Sequence, residues 1–372
     1  MILVKKENRD IFSICINYRY AEEYGVSNTD FLKAHLAEHL MVVNVCRQFQ
    51  KYFGEKVGVE KYISGLTNIE SSCFQLSASN QYICYAKDFV EMICNHNLDY
   101  ITENDLSEQA ANVLKEYDYP DNSFRGRCNE FYNYINDLDE IDYEKEIEQI
   151  TFDEIRDFID KRFITNKCDI FYCGKSNNEV QTKALQWSRN AKPKRICKTF
   201  SCHTRKRNIY SPNNQNSQIW FAYQFFKLQS IHDYIISEIV AKTIQIAITL
   251  SNKSSLEIQV INVGTHYTDI CAYALFVANT TYNNLKFDYS CEEIYIIIDA
   301  VKKEYETRLL LKNDSLLETI KFYKKIFYIT MEVDQQIDIK SVFNKIDTRE
   351  IYKRFEEIYA TGAKTIMQFI KD

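Results

Sequence analysis

The hydrophobic and polar positions along the first half of the chain predict a mixture of strands and helices. Residues 11–20 alternate in polarity and are partly β-branched or aromatic, which is typical of a strand. Asn28, Thr29 and Asp30 then offer a cap for a long helix over residues 31–53. The same criteria predict strand-like pieces within 72–85, helices over 86–101, 102–116 and 151–163, and a short strand at 168–173.

The second half of the chain repeats this order of elements. Strands are predicted at 219–226, 257–263 and 270–277, and helices at 231–250, 291–311 and 315–328. Each half also ends in the same way, because a Thr and acidic residues lead into a helix that is followed by a polar turn and a short strand. We therefore expect an α+β protein of two related domains, each a largely antiparallel sheet packed with helices.

The predicted boundary between the two domains lies in a stretch of different composition. Residues 191–217 are rich in Lys and Arg and then in turn-forming residues, which favours a linker, although a local anion-binding patch remains an alternative. The expected organisation is a first domain over 1–190, a linker over 191–217 and a second domain over 218–372. A length of 372 residues agrees with two domains.

Charge and cysteine content narrow the class of protein. The net charge of -6 gives no global basic footprint, so we expect no nucleic-acid partner. The sequence shows neither a membrane-length apolar run nor a leader pattern, so we expect an unprocessed cytoplasmic chain without a membrane partner. The 12 cysteines include no C-x-x-C pair, and we expect them to be reduced core residues.

The segment His35-Leu36-Ala37-Glu38-His39 carries the strongest chemical signal. On a helix, His35 and His39 lie one turn apart on the same face, so both imidazoles can bind one metal ion. Glu38 lies beside them, where it can reach a water at the metal without binding the metal. Apolar neighbours indicate that this helix is buried, which disfavours the alternative of a merely solvated face. A catalytic zinc needs a third ligand, and the geometry leaves Glu103, Asp105, Glu108 and Glu116 equally open.

With this motif and the ANVLKEYDYP segment that follows, the sequence resembles the pitrilysin, insulinase and mitochondrial processing peptidase family of zinc metallopeptidases. The resemblance implies a zinc site of His35, His39 and Glu116, with Glu38 as the catalytic base. It also implies that a peptide substrate binds as an added strand on an edge strand at about residues 73–78. The candidate substrate contacts there are Phe74, Gln75, Leu76 and Ser77.

Two departures from the family pattern refine this expectation. Gln109 stands where the family usually has an auxiliary Glu, although Glu108 lies next to it and could substitute. Active single-chain members carry an Arg and a Tyr in later domains, whereas residues 208–307 of this chain contain no Arg. The chain therefore resembles the zinc-bearing half of a split enzyme, and we expect a heterodimer with a half-length relative that carries the Arg/Tyr pair. A homodimer is also possible.

The resulting functional hypothesis is a zinc-dependent endopeptidase subunit that cleaves small peptides in an enclosed chamber. Its role would be peptide maturation, such as removal of a leader peptide from a ribosomally made precursor. The alternatives are a general oligopeptide-degrading peptidase, a non-catalytic scaffold subunit of such a peptidase, and a binding protein whose motif is coincidental.

Overall fold

Two five-stranded sheets, each accompanied by helices, form the part of the chain that the computed structural model describes. The described residues are 2–6, 10–21, 27–54, 58–68, 70–117, 123–135, 141–163, 168–175, 177–188, 205–211, 218–252, 258–265, 271–278, 288–312, 316–330, 339–362 and 365–371. The chain divides into two units. The first comprises Met1–Lys194, Ser315–Lys324 and Val333–Gln335, and the second comprises Arg195–Asp314, Lys325–Glu332 and Gln336–Asp372.

The elements of the N-terminal part supply the first sheet and its helices. In chain order they are β1 (Ile2–Lys6), β2 (Ile11–Tyr18), α1 (Asn28–Phe53), β3 (Ile63–Thr67), β4 (Ser72–Ser79), α2 (Ala86–Cys94), α3 (Glu103–Tyr117), α4 (Phe124–Ile135), α5 (Tyr143–Gln149), α6 (Phe152–Arg162), β5 (Cys168–Gly174) and α7 (Asn178–Trp187). The strands lie in the order β1-β5-β2-β4-β3, and only the β1–β5 pair is parallel.

The remaining elements repeat this arrangement. They are β6 (Arg205–Ser211), β7 (Gln218–Lys227), α8 (Ile231–Ser251), β8 (Ile258–Thr265), β9 (Cys271–Ala278), α9 (Cys291–Lys312), α10 (Leu316–Thr330), α11 (Ile339–Asn344), α12 (Thr348–Thr361) and β10 (Thr365–Lys371). The second sheet has the order β6-β10-β7-β9-β8, again with one parallel pair, β6–β10. The predicted α+β class is confirmed.

Alternation along the central strands places the core of the first unit on the helix side of the sheet. Successive side chains of a strand point to opposite faces. The even-numbered positions of β2 and β4 join the apolar cluster of the helices, namely Phe12, Ile14, Ile16, Tyr18, Phe74, Leu76 and Ala78. Helix α1 contributes Leu32, Leu36 and Leu40 to the same cluster. The site motif therefore lies on a helix that is packed against the sheet.

The N-cap of helix α1 lies one residue before the predicted caps Asn28, Thr29 and Asp30. Ser27 is extended, with φ -128° and ψ 157°, and its hydroxyl accepts a hydrogen bond from the backbone N–H of Asp30. This is the usual geometry of an N-cap serine. The helix ends at Gly54, whose φ of 80° lies in the region that glycine adopts without strain.

The predicted linker is wrong where the structure describes it. Residues 205–211 form β6, which pairs in parallel with β10 at the far end of the sequence. In the described part of the sheet, β6 has β10 as its one neighbour, and its exposed positions include Lys206, Asn208 and Tyr210. Charged residues are common on edge strands, where they oppose pairing with other chains. The rest of the predicted linker lies outside the described residues.

Helix α8 contradicts the prediction that no segment is long and apolar enough to cross a membrane. It meets that criterion by length and composition, yet 61% of its most apolar window is buried in the structure. Its buried side chains are mostly Ile, Val and Ala. Such burial is typical of the core helix of a folded domain.

A buried ion pair joins β5 to the residue that follows β2. Arg19 donates from Nε to Oδ2 of Asp169 at 2.9 Å, and both residues are buried. Replacing Arg19 with Met leaves the carboxylate buried without this partner. We expect the free energy of unfolding of the first unit to fall by about 3–5 kcal/mol, measured by urea denaturation.

The matched control is Lys161→Met, which removes an exposed ion pair with Asp157. Exposed pairs contribute little, so we expect a change below about 1 kcal/mol. The double variant Arg19→Met/Asp169→Leu should recover much of the lost stability, because neither charge of this pair is then left buried without the other. Equal effects of Arg19→Met and Lys161→Met would contradict the role given to this pair.

Candidate metal centre

Helix α1 presents three ionisable side chains at its contact with α3 and β3. His35 and Glu38 are buried, and His39 is partly buried. The two imidazole rings lie one turn apart with their centroids separated by 4.9 Å. The Nε2 atom of His35 lies 3.9 Å from Oε2 of Glu38. The sequence spacing thus brings all three groups to one face of the helix, as predicted from the 3.6-residue repeat.

Glu116, in the last turn of α3, completes a cluster with the two histidines. One of its carboxylate oxygens lies 3.5 Å from Nε2 of His35, and the other lies 3.5 Å from Nε2 of His39. One potential ligand atom from each of the three residues falls within 4.8 Å of the others. Among the described residues this is the one such group found. Of the four carboxylates left open by the sequence, the structure therefore selects Glu116.

The other nitrogen of each imidazole also contacts a side chain from α3. Nδ1 of His35 lies 2.8 Å from the hydroxyl of Tyr117, and Nδ1 of His39 lies 3.2 Å from Oε1 of Gln109. The Gln109 oxygen can only accept, so this contact suits an Nδ1–H donor on His39, which turns Nε2 toward Glu116. Gln109 and Glu116 are seven residues apart, so they lie on one face of α3. Gln109 thus occupies the expected auxiliary position, with an amide in place of a carboxylate.

Glu38 lies against strand β3. A Cβ atom at Gly65 would overlap the Glu38 carboxylate and would lie 2.7 Å from its Cγ. The hydroxyl of Thr67 lies 3.5 Å from Oε2 of Glu38 and 2.9 Å from the hydroxyl of Ser72, so its one proton can be donated to either oxygen. The absence of a side chain at Gly65 therefore leaves the space that the Glu38 carboxylate occupies.

Burial shifts the protonation of two groups in the cluster. Desolvation lowers the pKa of His35 to about 4, with a further contribution from the charge of His39. Desolvation and then the Glu116 carboxylate raise the pKa of Glu38 to about 8, although the Thr67 hydroxyl opposes the rise. His35 is consequently neutral at pH 7, with a lone pair available to a metal. A bound cation would favour the charged forms of both carboxyl groups.

These observations fit a zinc ion. Two imidazole nitrogens and a carboxylate oxygen form the donor set of many catalytic zinc sites. The Nδ1 atoms of both histidines are held by Tyr117 and Gln109, which leaves the Nε2 atoms facing Glu116. Hydrogen bonds of this kind orient metal-binding histidines. Residues His35, His39 and Glu116 could therefore hold the metal, with Glu38 beside it.

The sheet topology contradicts the prediction that a peptide adds to the strand at residues 73–78. Strand β4, which contains Phe74, Gln75, Leu76 and Ser77, pairs with β2 on one side and with β3 on the other. It is therefore an internal strand, and Phe74 and Leu76 point into the apolar core. The edge is β3, which has one neighbour among the described strands.

Sequence reasoning did not identify Gly65, Thr67 or Tyr117 as residues of the site. Tyr117 follows Glu116 directly, yet its contact with His35 depends on the packing of α3 against α1. Gly65 gave a weak signal, since glycine within a strand often marks a close approach of another group. It could not have indicated which group approaches.

The sequence matches no family model and no curated protein. Solved structures match over the whole chain. A protease from Helicobacter pylori has a TM-score of 0.70 at 13% identity, covering 100% of this chain and 98% of that chain. A peptidase M16 inactive domain from Pseudomonas fluorescens has a TM-score of 0.68 at 9% identity, covering 100% and 95%.

The periplasmic protease PqqL from Escherichia coli has a TM-score of 0.66 at 11% identity. The match covers 100% of this chain and 46% of PqqL, so this chain spans about half the length of that protein. At these identities the likeness shows the fold. This chain has the helix-rich α+β fold of M16-type peptidases, the fold implied by the resemblance to the pitrilysin family.

The contact between Gly65 and Glu38 generates a stability prediction. In Gly65→Ala, the new methyl group displaces a carboxylate that is itself buried. We expect the free energy of unfolding of the first unit to fall by about 1–3 kcal/mol, as in other overpacked sites. Thermal or urea denaturation measures the change.

A double-mutant cycle isolates the cause of this loss. In a Glu38→Ala background the Gly65→Ala change should cost little, because the carboxylate is no longer there. The control Ser64→Ala, at the neighbouring exposed position of β3, should alter stability by less than about 0.5 kcal/mol. An undiminished cost in the Glu38→Ala background would show that Gly65 does not make room for Glu38.

Proposed function

We propose that this chain is a zinc-dependent endopeptidase subunit. The observation that carries the proposal is the convergence of His35, His39 and Glu116 within 4.8 Å, with the buried Glu38 carboxyl group beside them. When bound, zinc supplies Lewis acidity that activates water and polarises a carbonyl group. His35, His39 and Glu116 would supply three protein ligands, the number that catalytic zinc sites use.

Glu38 acts as the general base in this proposal. Its carboxylate accepts a proton from the attacking water and passes it to the amine that leaves. The Thr67 hydroxyl lies 3.5 Å from one carboxylate oxygen of Glu38 and favours its charged form.

The peptide binds along β3 rather than along β4. An edge strand presents unpaired backbone N–H and C=O groups, to which an extended peptide can add as a further strand. Gly65 lies in this strand and contacts Glu38, so a peptide paired with β3 runs close to the catalytic base. Backbone pairing favours recognition of extended segments with little dependence on their side chains.

A partner chain completes the enzyme in this proposal. The match to about half of PqqL supports a half-length subunit, and residues 208–307 contain no Arg that could grip a substrate backbone. A second half-length chain with an Arg/Tyr pair would close the chamber. Cleavage of a leader peptide and a cytoplasmic location stay predictions.

Replacing Glu38 with Gln tests the mechanism directly. We expect the variant to keep one zinc per chain and to lose at least about 100-fold in cleavage rate, because the amide cannot accept the proton. The assay follows new peptide termini by mass spectrometry in a defined mixture of synthetic peptides. The chain is assayed alone and with its half-length relative. Zinc is counted by elemental analysis.

The matched control is Glu103→Gln, an exposed carboxyl group at the start of α3, which should leave both zinc and rate unchanged. Normal cleavage by Glu38→Gln would refute the assigned role. A different outcome would favour a non-catalytic scaffold subunit. In that case the wild-type chain binds zinc and His39→Ala loses it, but the wild-type pair cleaves no peptide. The solved M16 inactive domain has a similar fold. A folded preparation that binds no zinc would overturn the metal site itself.

The contact between Tyr117 and His35 generates a separate prediction. Tyr117→Phe removes the hydroxyl that orients the imidazole but keeps the aromatic ring. We expect zinc affinity to fall by roughly 10-fold or more, measured by competition with a fluorescent chelator. The control is Tyr143→Phe, because the Tyr143 ring stacks on Tyr117 at 4.7 Å. Equal affinities of the two variants would remove Tyr117 from the zinc site.

A further inference from the structure

Two cysteines of neighbouring strands bring their sulfur atoms together in the first sheet. The Sγ atoms of Cys15 in β2 and Cys73 in β4 lie 2.7 Å apart, and both residues are buried. In a disulfide the sulfurs are separated by about 2.05 Å. The strands are antiparallel, and the register pairs Cys15 with Gln75 and Asn17 with Cys73. The two thiols are therefore diagonal neighbours on one face of the sheet.

That face is distinct from the apolar core. Ile14, Ile16 and Phe74 alternate with the two cysteines and point into the helix-side cluster. Cys15 and Cys73 accordingly point to the opposite side, together with Asn17. Asn17 accepts a hydrogen bond from Nζ of Lys324 at 2.8 Å, so a cationic group is fixed beside the pair.

The hydrogen bond between the two thiols, together with the charges around them, makes their pKa values unequal. The hydrogen bond from Cys15 lowers the pKa of Cys73 to about 6, and the positive charges of Lys324 and Lys321 contribute. The same hydrogen bond raises the pKa of Cys15 well above its usual value, and burial adds to the rise. The opposite directions of the two pKa shifts favour the thiolate form at Cys73 and the protonated form at Cys15, although burial opposes the shift at Cys73. This is the arrangement of a nucleophilic cysteine with a second cysteine that can resolve its oxidised form.

We propose that Cys15 and Cys73 form a peroxide-sensitive redox pair that closes into a reversible disulfide. The Cys73 thiolate attacks hydrogen peroxide, the O–O bond breaks, and a sulfenic acid forms with release of hydroxide, which takes up a proton to give water. The Cys15 sulfur then attacks the sulfenic sulfur, the S–S bond forms, and a second water leaves with the Cys15 proton. Two electrons pass from the thiols to one peroxide, which becomes two waters.

The position of the pair in the chain gives the disulfide a consequence. Cys15 precedes α1 and Cys73 follows β3, so the bond closes a loop that carries His35, Glu38, His39 and Gly65. A bond across a loop of this length removes conformational freedom mainly from the unfolded chain. We expect oxidation to raise the thermal midpoint of the first unit by at least about 5 °C. The pair does not depend on the proposed peptidase activity.

The fixed Lys324 ammonium group disfavours a second metal site at these sulfurs, because it would repel a cation. The described residues also bring no third metal-binding group to the pair within the separation seen in the histidine cluster. Oxidation is therefore the chemistry that the surroundings of the two thiols support.

The test treats the full chain with hydrogen peroxide in the presence of a chelator and then maps disulfides by mass spectrometry without reduction. We expect a cross-linked peptide containing Cys15 and Cys73, a loss of two free thiols, and full reversal by dithiothreitol. Cys84→Ser, at an exposed cysteine, should give the same cross-link. Cys15→Ser should instead accumulate a sulfenic acid on Cys73 that a 1,3-diketone reagent labels.

Absence of the Cys15–Cys73 peptide from folded, peroxide-treated wild-type chain would overturn the proposal. The proposal would also be overturned if peroxide removed as many free thiols from Cys73→Ser as from the wild-type chain. If that variant does not fold, the wild-type peptide map alone decides. Zinc counting on untreated samples without chelator reports separately on the histidine cluster, so failure of the redox pair is distinguishable from failure of the proposed enzyme.

Discussion

The burial of ionisable groups on helix α1 is the constraint on which the architecture of the first unit depends. A buried imidazole or carboxyl group is costly unless another polar group contacts it. His35 and His39 find their partners on α3, and Glu38 finds its partner on β3. These elements must therefore hold fixed positions relative to α1. The side chains that prepare a metal site are thus also the contacts that fix how α1, α3 and β3 pack.

In the second unit, the helix at the corresponding position satisfies its buried Ser and Thr hydroxyls within itself. Helix α8 follows the second strand of its sheet, as α1 does in the first unit. Its buried polar groups, Ser237 and Thr243, bond to carbonyl oxygens of the helix itself. Such groups are satisfied within one helix and need no neighbouring element. The repeated fold alone therefore does not create a candidate metal centre. In the first unit that centre lies where buried polar groups of α1 are hydrogen-bonded by other elements.

The sequence indicates those features of the site that are local. The spacing of His35, Glu38 and His39 within one helix predicted their common face, and the apolar flanks predicted burial. It could not separate Glu116 from the other acidic residues of α3 without the family resemblance, because that choice depends on how two helices pack. The sequence did not predict β3 and β6, because short, polar or glycine-containing segments give a weak strand signal. Strand β6 in addition depends on pairing with β10, which is distant in the sequence.

Strand β3 has to meet two requirements at once under the proposed function. As an edge strand it must keep one row of backbone groups available, and it must approach α1 closely enough to hold Glu38. A side chain larger than hydrogen at residue 65 would satisfy the first requirement but not the second, because it would occupy the space of the carboxylate. Leu66, the next residue, alternates to the other face and is largely exposed. Because side chains alternate along β3, Glu38 contacts only one face of the strand. The unpaired backbone groups at the edge of β3 therefore remain available to a peptide.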